Sequence, residues 1–109
     1  MNKEIDVRHK GKEYTLTFTR KSVERMENSG FVASDVRTKP VSILPQLFAG
    51  AFIANHKFTP QETIDDIFET IKDKKELLSK LSEMYNDTVE SLFDEPEDDE
   101  GNATWTASW

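Results

Sequence analysis

Residues 41–56, V-S-I-L-P-Q-L-F-A-G-A-F-I-A-N-H, are the most apolar window of an otherwise polar sequence, and their reading decides the fold. On a helix, Ile43, Leu44, Leu47, Phe48, Ala51 and Phe52 form a broad stripe at i, i+1, i+4, i+5, i+8 and i+9. Ala49, Ile53 and Ala54 spread onto the flanks, so this helix is apolar around most of its circumference. Such a helix belongs in the middle of a domain, with other elements covering it. Ala49, Gly50, Ala51 and Ala54 are small enough to let a neighbour approach closely. Gly50 costs about 1 kcal/mol in helix propensity relative to Ala, which close packing could offset. Two readings of the apolar face follow: a sealed core, or a face left partly open as a groove or dimer seam.

Upstream, residues 4–19 alternate with a period of two. Ile5 and Val7 share a face, a turn falls at Lys10-Gly11, and Tyr14, Leu16 and Phe18 alternate with Thr15, Thr17 and Thr19. That is a β-hairpin, too small to stand alone and therefore laid against the helices. Thr19 is a helix N-cap for residues 20–28, with Phe18 and Val23 spaced as a hydrophobic staple. With only Val23 and Met26 on its apolar face, this helix reads as a lid. Residues 31–39 show no period and read as a loop, with an extended piece at Phe31–Ala33. Ser42 is the expected cap of the central helix.

Downstream, Thr59-Pro60-Gln61-Glu62 reads as a capping box with proline at the first helical position. Ile64, Ile67, Phe68 and Ile71 follow at i, i+3, i+4 and i+7. Asp73 and Glu76 repeat the capping pattern and start a last helix. Its stripe runs through Leu77, Leu78, Leu81, Met84, Tyr85, Val89, Leu92 and Phe93. The expected fold is α+β and mostly helical: an N-terminal hairpin packed on a small bundle of about four helices. The boundaries are hairpin 4–19 and helices near 20–28, 42–56, 60–72 and 74–93. Residues 1–93 form the body, and residues 94–109 an acidic tail that composition makes disordered.

The chain has 109 residues, enough for one modest core. It has no cysteine, which removes disulfides, zinc-cysteine sites and thiol nucleophiles. The net charge is −7, and six acidic residues with no basic one lie within 94–100. The remaining residues hold 15 acidic against 14 basic, so the body is nearly neutral. A nucleic-acid binder would show a basic face, so none is expected. The start lacks an apolar signal segment, and 41–56 is too short to span a membrane. A soluble, cytosolic protein is expected.

Little in the sequence suggests catalysis. His9 and His56 lie in a turn and at a helix end, without a triad-like pattern. Asp65, Asp66, Glu69 and Asp73 fall opposite the Ile64/Ile67 stripe, and no Glu-x-x-His pair accompanies them. Neither an enzyme nor a cofactor or metal site is expected. Both tryptophans, Trp105 and Trp109, sit at the acidic end, spaced to anchor an arm on a partner. The tail reads either as a solubilising end or as such an arm; a DNA-mimicking decoy is a weaker reading.

The order of features carries a resemblance. A Thr-rich hairpin (Y-T-L-T-F-T) leads into a short helix ending M-E-N-S-G. An apolar helix (S-I-L-P-Q-L-F-A-G-A-F), two amphipathic helices and an acidic end follow. Over residues 4–95 this resembles the tail assembly chaperones of long-tailed phages and prophages of Gram-positive bacteria. The resemblance implies a non-enzymatic protein of the host cytoplasm, absent from the mature virion. It would hold the helical tape measure protein soluble while tail tube protein polymerises around it. Many members are made in two lengths by ribosomal frameshifting, and this chain would be the short product. No family site transfers residue by residue. The residues expected to line either the core or the client groove are Leu47, Phe48, Phe52, Leu81 and Tyr85. A homo-oligomer is compatible with the apolar face. The alternatives are a phage-encoded adaptor or inhibitor of a host protein, and a structural tail-completion protein.

Overall fold

The computed structural model describes residues 3–94, 101 and 103–109. It is a two-stranded antiparallel hairpin followed by a helical body, as the sequence patterns require. Strands β1 (Ile5–His9) and β2 (Lys12–Leu16) pair in the register Ile5↔Leu16, Val7↔Tyr14 and His9↔Lys12. Lys10 and Gly11 have φ of 50° and 80°, the left-handed pair that a two-residue turn of the right twist demands. Val7, Tyr14 and Leu16 are buried, while Asp6, Arg8 and Glu13 face water.

Helix α1 (Arg20–Asn28) starts where expected. The Thr19 side chain accepts from the Ser22 N–H, and the Ser22 hydroxyl accepts from the Thr19 N–H. Phe18 and Val23, the staple pair, are both buried. The helix ends at Gly30, with φ 98°: Gly30 N–H donates to Glu27 and Phe31 N–H to Met26. This Schellman closure swings Phe31 back onto the core. The segment expected as a loop then makes a single 3-10 turn, Ala33–Val36.

The central apolar stretch is two helices, not one. Helix α2 (Pro40–Gly50) begins two residues before Ser42, because the fixed φ of Pro40 suits the first helical position. Ser42 therefore caps nothing, and Pro45 lies inside the helix, where it leaves the Val41 carbonyl without an i+4 donor. The chain tightens at Ala51-Phe52 before helix α3 (Ile53–His56). At that break the Ala51 carbonyl accepts from Thr17 N–H at 3.2 Å, so the end of β2 takes up a helical acceptor.

Helix α4 (Gln61–Thr70) also departs from the expected capping. Pro60, extended at ψ 144°, is the N-cap, and no side chain caps this end. Its carbonyl accepts from Thr63 and Ile64, while Thr59 N–H turns back to His56. A short link then reaches Asp73, left-handed at φ 55°, whose side chain accepts from Glu76 N–H to start helix α5 (Lys74–Glu90). Beyond α5, Ser91–Phe93 form a 3-10 turn. That change of pitch takes Leu92 and Phe93 off the buried stripe, where sequence spacing puts them, and into solvent.

The core gathers side chains from every layer. Phe48 and Phe52 of the central stretch are fully buried, and ring contacts tie Phe52 to Tyr14 and Tyr85 to both Phe18 and Phe31. Helix α2 is covered by α1, α4 and α5, the central position its composition calls for. Residues 103–109 are in neither helix nor strand and are exposed; the rest of the tail expected to be disordered, 95–100 and 102, lies outside the described residues. Among the described residues, no helix is long and apolar enough to cross a membrane.

Candidate interaction surface

Leu47, Phe48, Phe52, Leu81 and Tyr85, expected in the core or in a client groove, all lie in the core. None is more than 4 % exposed. The hairpin packs on Phe52 through Tyr14, and α5 packs against α2, so this face is largely covered; Phe52 and Tyr85 still contribute to the walls of surface concavities.

Apolar surface remains open elsewhere: Val41 and Phe58 are exposed, and several apolar side chains gather along the seam of α1 and α5. The chemistry of that seam follows from where each helix turns its residues. Helix α1 buries Val23 and Met26 and leaves Glu24 and Glu27 outside. Helix α5 buries Leu81, Met84 and Tyr85, and its last turns bring Val89 to the surface. A concavity of about 230 Å³ between them is floored by Val23 and walled by Val89 and Leu92. A second, of about 440 Å³, continues past Val89 and Glu27 to Phe31, Val32 and Tyr85. Val32, Val89 and Leu92 are 49 %, 37 % and 63 % exposed, and Phe93, next in the chain, is 79 % exposed. Large apolar side chains gathered this way are a mark of an interaction site.

The rim is held in place and is mostly acidic. Arg20 reaches across the seam, donating from Nε to the Ser91 hydroxyl at 3.3 Å and from its guanidinium to the Ser91 carbonyl. The Ser91 hydroxyl in turn donates to Thr88 C=O, and the Thr88 hydroxyl lies between Met84 C=O and Phe18 C=O. These bonds fix the 3-10 turn that presents Leu92. Glu24, Glu27 and Glu90 border the concavities or the turn, with Arg20 the nearby cation. Burial raises the Tyr85 pKa, and the negative charge of Glu27 adds to the shift.

Most of the groups weighed for chemistry have structural partners; Glu69 is exposed on α4. His56 Nε2 accepts from Thr15 N–H, and His9 lies 3.3 Å from Asp66. Asp65 accepts from Gln61, Asp66 also from Lys10, and Asp73 caps α5. Among the described residues no cluster of His, Cys, Asp or Glu is placed to hold a metal ion. Trp105 and Trp109, the expected arm anchors, are almost wholly exposed, at 82 % and 103 %.

Sequence reasoning missed the seam because its residues come from three separate stretches. Val32 lies in a segment without period. Leu92 and Phe93 look like the continuation of a buried stripe. One signal was available: Leu92 and Phe93 are adjacent, and the acidic run begins immediately after them.

The whole chain, residues 1–109, matches the protein family described as Domain of unknown function (DUF5055). No curated protein and no solved structure matches it.

Proposed function

The chain belongs to the DUF5055 family, and because that description states no activity, we propose from the surface itself that it is a non-catalytic binding protein, a tail assembly chaperone that holds a tape measure protein soluble. The observation that carries this reading is the open apolar seam of Val32, Val89 and Leu92, with Phe93 exposed next to Leu92 in the chain. An amphipathic helix binds by laying its apolar stripe into such a groove, with anchors every three or four residues. Each Leu or Phe it buries is worth roughly 1.5–3 kcal/mol before the costs of association. Glu24, Glu27 and Glu90 favour a helix whose flanks are basic, and so does the acidic run at 94–100. The order of hairpin, apolar core and acidic end resembles that of the tail assembly chaperones, and the proposed client follows from that resemblance.

The test is co-expression with a helical fragment of a phage tape measure protein. The fragment should stay soluble with the wild-type chain and precipitate with a Val89→Asp/Leu92→Asp variant whose melting temperature is unchanged. A fragment equally soluble without the chain, or with that variant, would refute the reading.

A further inference from the structure

The hairpin has two edges, and they are treated differently. Both backbone groups of Thr15 are taken by side chains of α3: its N–H by His56 Nε2 at 3.0 Å and its C=O by Asn55 Nδ2 at 3.1 Å. Thr17 N–H goes to Ala51 C=O. Helix α3 and the break before it therefore close the outer edge of β2. Because Thr15 faces away from β1, the Thr15↔Asp6 pair is a non-hydrogen-bonded one, and so is Arg8↔Glu13. The N–H and C=O of Asp6 and Arg8 thus point outward from β1. The hairpin is tied down at its ends, by Asp66 at the turn and by Glu83 and Asp87 at Lys3. Between them, the Asp6–Arg8 edge has no backbone partner among the described residues.

We propose that this edge of β1 pairs antiparallel with the same edge of a second copy, about a two-fold axis through Val7, to make a four-stranded sheet across a dimer. Exposed edges of this kind are templates for strand addition, and charges on them ordinarily forbid it. Here the charges select one register instead. With Val7 opposite Val7 of the second copy, Asp6 lies opposite Arg8 and Arg8 opposite Asp6. Glu4 falls beside Lys10 in the same alignment. Shifting the centre to Asp6 or to Arg8 sets like charges face to face, which is destabilising. The centred register also matches the backbone: Asp6 and Arg8 are the outward-facing residues, so each such pair exchanges both its hydrogen bonds, while Val7 pairs without them. On the solvent face, Asp6 already accepts from the Thr15 hydroxyl, and Arg8 lies 3.7 Å from Glu13. The dimer extends these into a row alternating in sign, Glu13–Arg8–Asp6, from one copy into the next. The contact is self-complementary, as a two-fold interface has to be.

Sedimentation velocity over a concentration series, with hydrogen exchange on the full chain, tests this. The mass should rise toward twice that of one chain, and the Asp6 and Arg8 amides should become protected as it does. Arg8→Pro removes an outward N–H and no backbone hydrogen bond of the hairpin, only the exposed Arg8–Glu13 ion pair, so it should give a monomer with an unchanged circular dichroism spectrum. Arg8→Asp should also abolish the dimer, and adding Asp6→Arg should restore it by reversing both charges. These charge variants keep the test intact if the proline variant does not fold. A chain that stays monomeric with both amides unprotected overturns the proposal. So does a dimer that survives in folded Arg8→Pro, or a double reversal that fails to recover it. Protection of the edge only when another protein is added would equally overturn it, in favour of a foreign strand.

Discussion

The backbone N–H of Thr15 donates to Nε2 of His56 at 3.0 Å, joining residues 41 apart in the chain. The bond requires the His56 proton to sit on Nδ1, and it makes an imidazole do what a neighbouring strand would do. Tyr14 packs edge-on against the same ring, 5.2 Å between centroids. His56→Ala should therefore cost about 1–3 kcal/mol, the usual penalty for stranding a partly buried donor. Faster exchange of the Thr15 amide in the variant would locate the loss at the β2 edge; unchanged exchange would place it in the ring packing.

The core and the seam should separate cleanly on substitution. Phe52→Ala, at a site 1 % exposed, should cost about 3–5 kcal/mol in denaturant unfolding. Leu92→Asp, at a site 63 % exposed, should cost under about 0.5 kcal/mol. A large stability loss at Leu92 would mean that the 3-10 turn supports the body rather than presenting a surface.

Gly50 and Met26 test how tightly α1 sits on α2. A Cβ on Gly50 would meet Met26 Sδ and Cε at 2.4 Å. Gly50→Ala gains up to about 1 kcal/mol in helix propensity and loses about 1–3 kcal/mol to overpacking, so a net loss of about 1 kcal/mol is expected. Met26→Ala opens the space that the new methyl needs. The double variant should accordingly be less damaged than the two single losses together, and simple additivity would show that the contact is slack.

Stability should respond to pH at both extremes. The Lys10 ammonium, and then His9, lower the Asp66 pKa. What Asp66 contributes is present above the ordinary carboxylate value and is lost as pH falls through its lowered folded value. Asp66→Asn should flatten that acid limb, and the effect should be small because the site is exposed. Tyr85 has the opposite sense: burial first, and then Glu27, raise its pKa, so stability declines as pH climbs above the ordinary tyrosine value. Tyr85→Phe should remove the alkaline part. Melting temperatures from pH 2 to 11 would check both.

Tryptophan emission reports on the tail alone, since Trp105 and Trp109 are the only tryptophans. Free protein should emit as exposed indole, open to a neutral quencher. Deleting residues 103–109 should leave the melting temperature unchanged, because these residues are exposed and lie in neither helix nor strand. Blue, protected emission in the free chain would place the tryptophans against the body. A blue shift on adding a tape measure fragment would support an arm that takes part in binding.

Local chemistry determined much of this protein from the sequence alone. The alternation of residues 5–16 and the Lys10-Gly11 turn fix the hairpin, and the caps at Thr19 and Asp73 start two helices where they were expected. Those signals act within a few residues, although the equally local caps read at Ser42 and Thr59 did not form. Tertiary structure decided the rest. Whether Leu47, Phe48, Phe52, Leu81 and Tyr85 form a groove or a core depends on what covers them, and apolar spacing reads the same in either case. The Ala51 carbonyl goes to Thr17, and the long apolar helix breaks there. Leu92 and Phe93 leave their stripe where Arg20 holds Ser91, and His56 finds the edge of β2. Each of these outcomes depends on a partner distant in the chain, brought into place only once the core has closed.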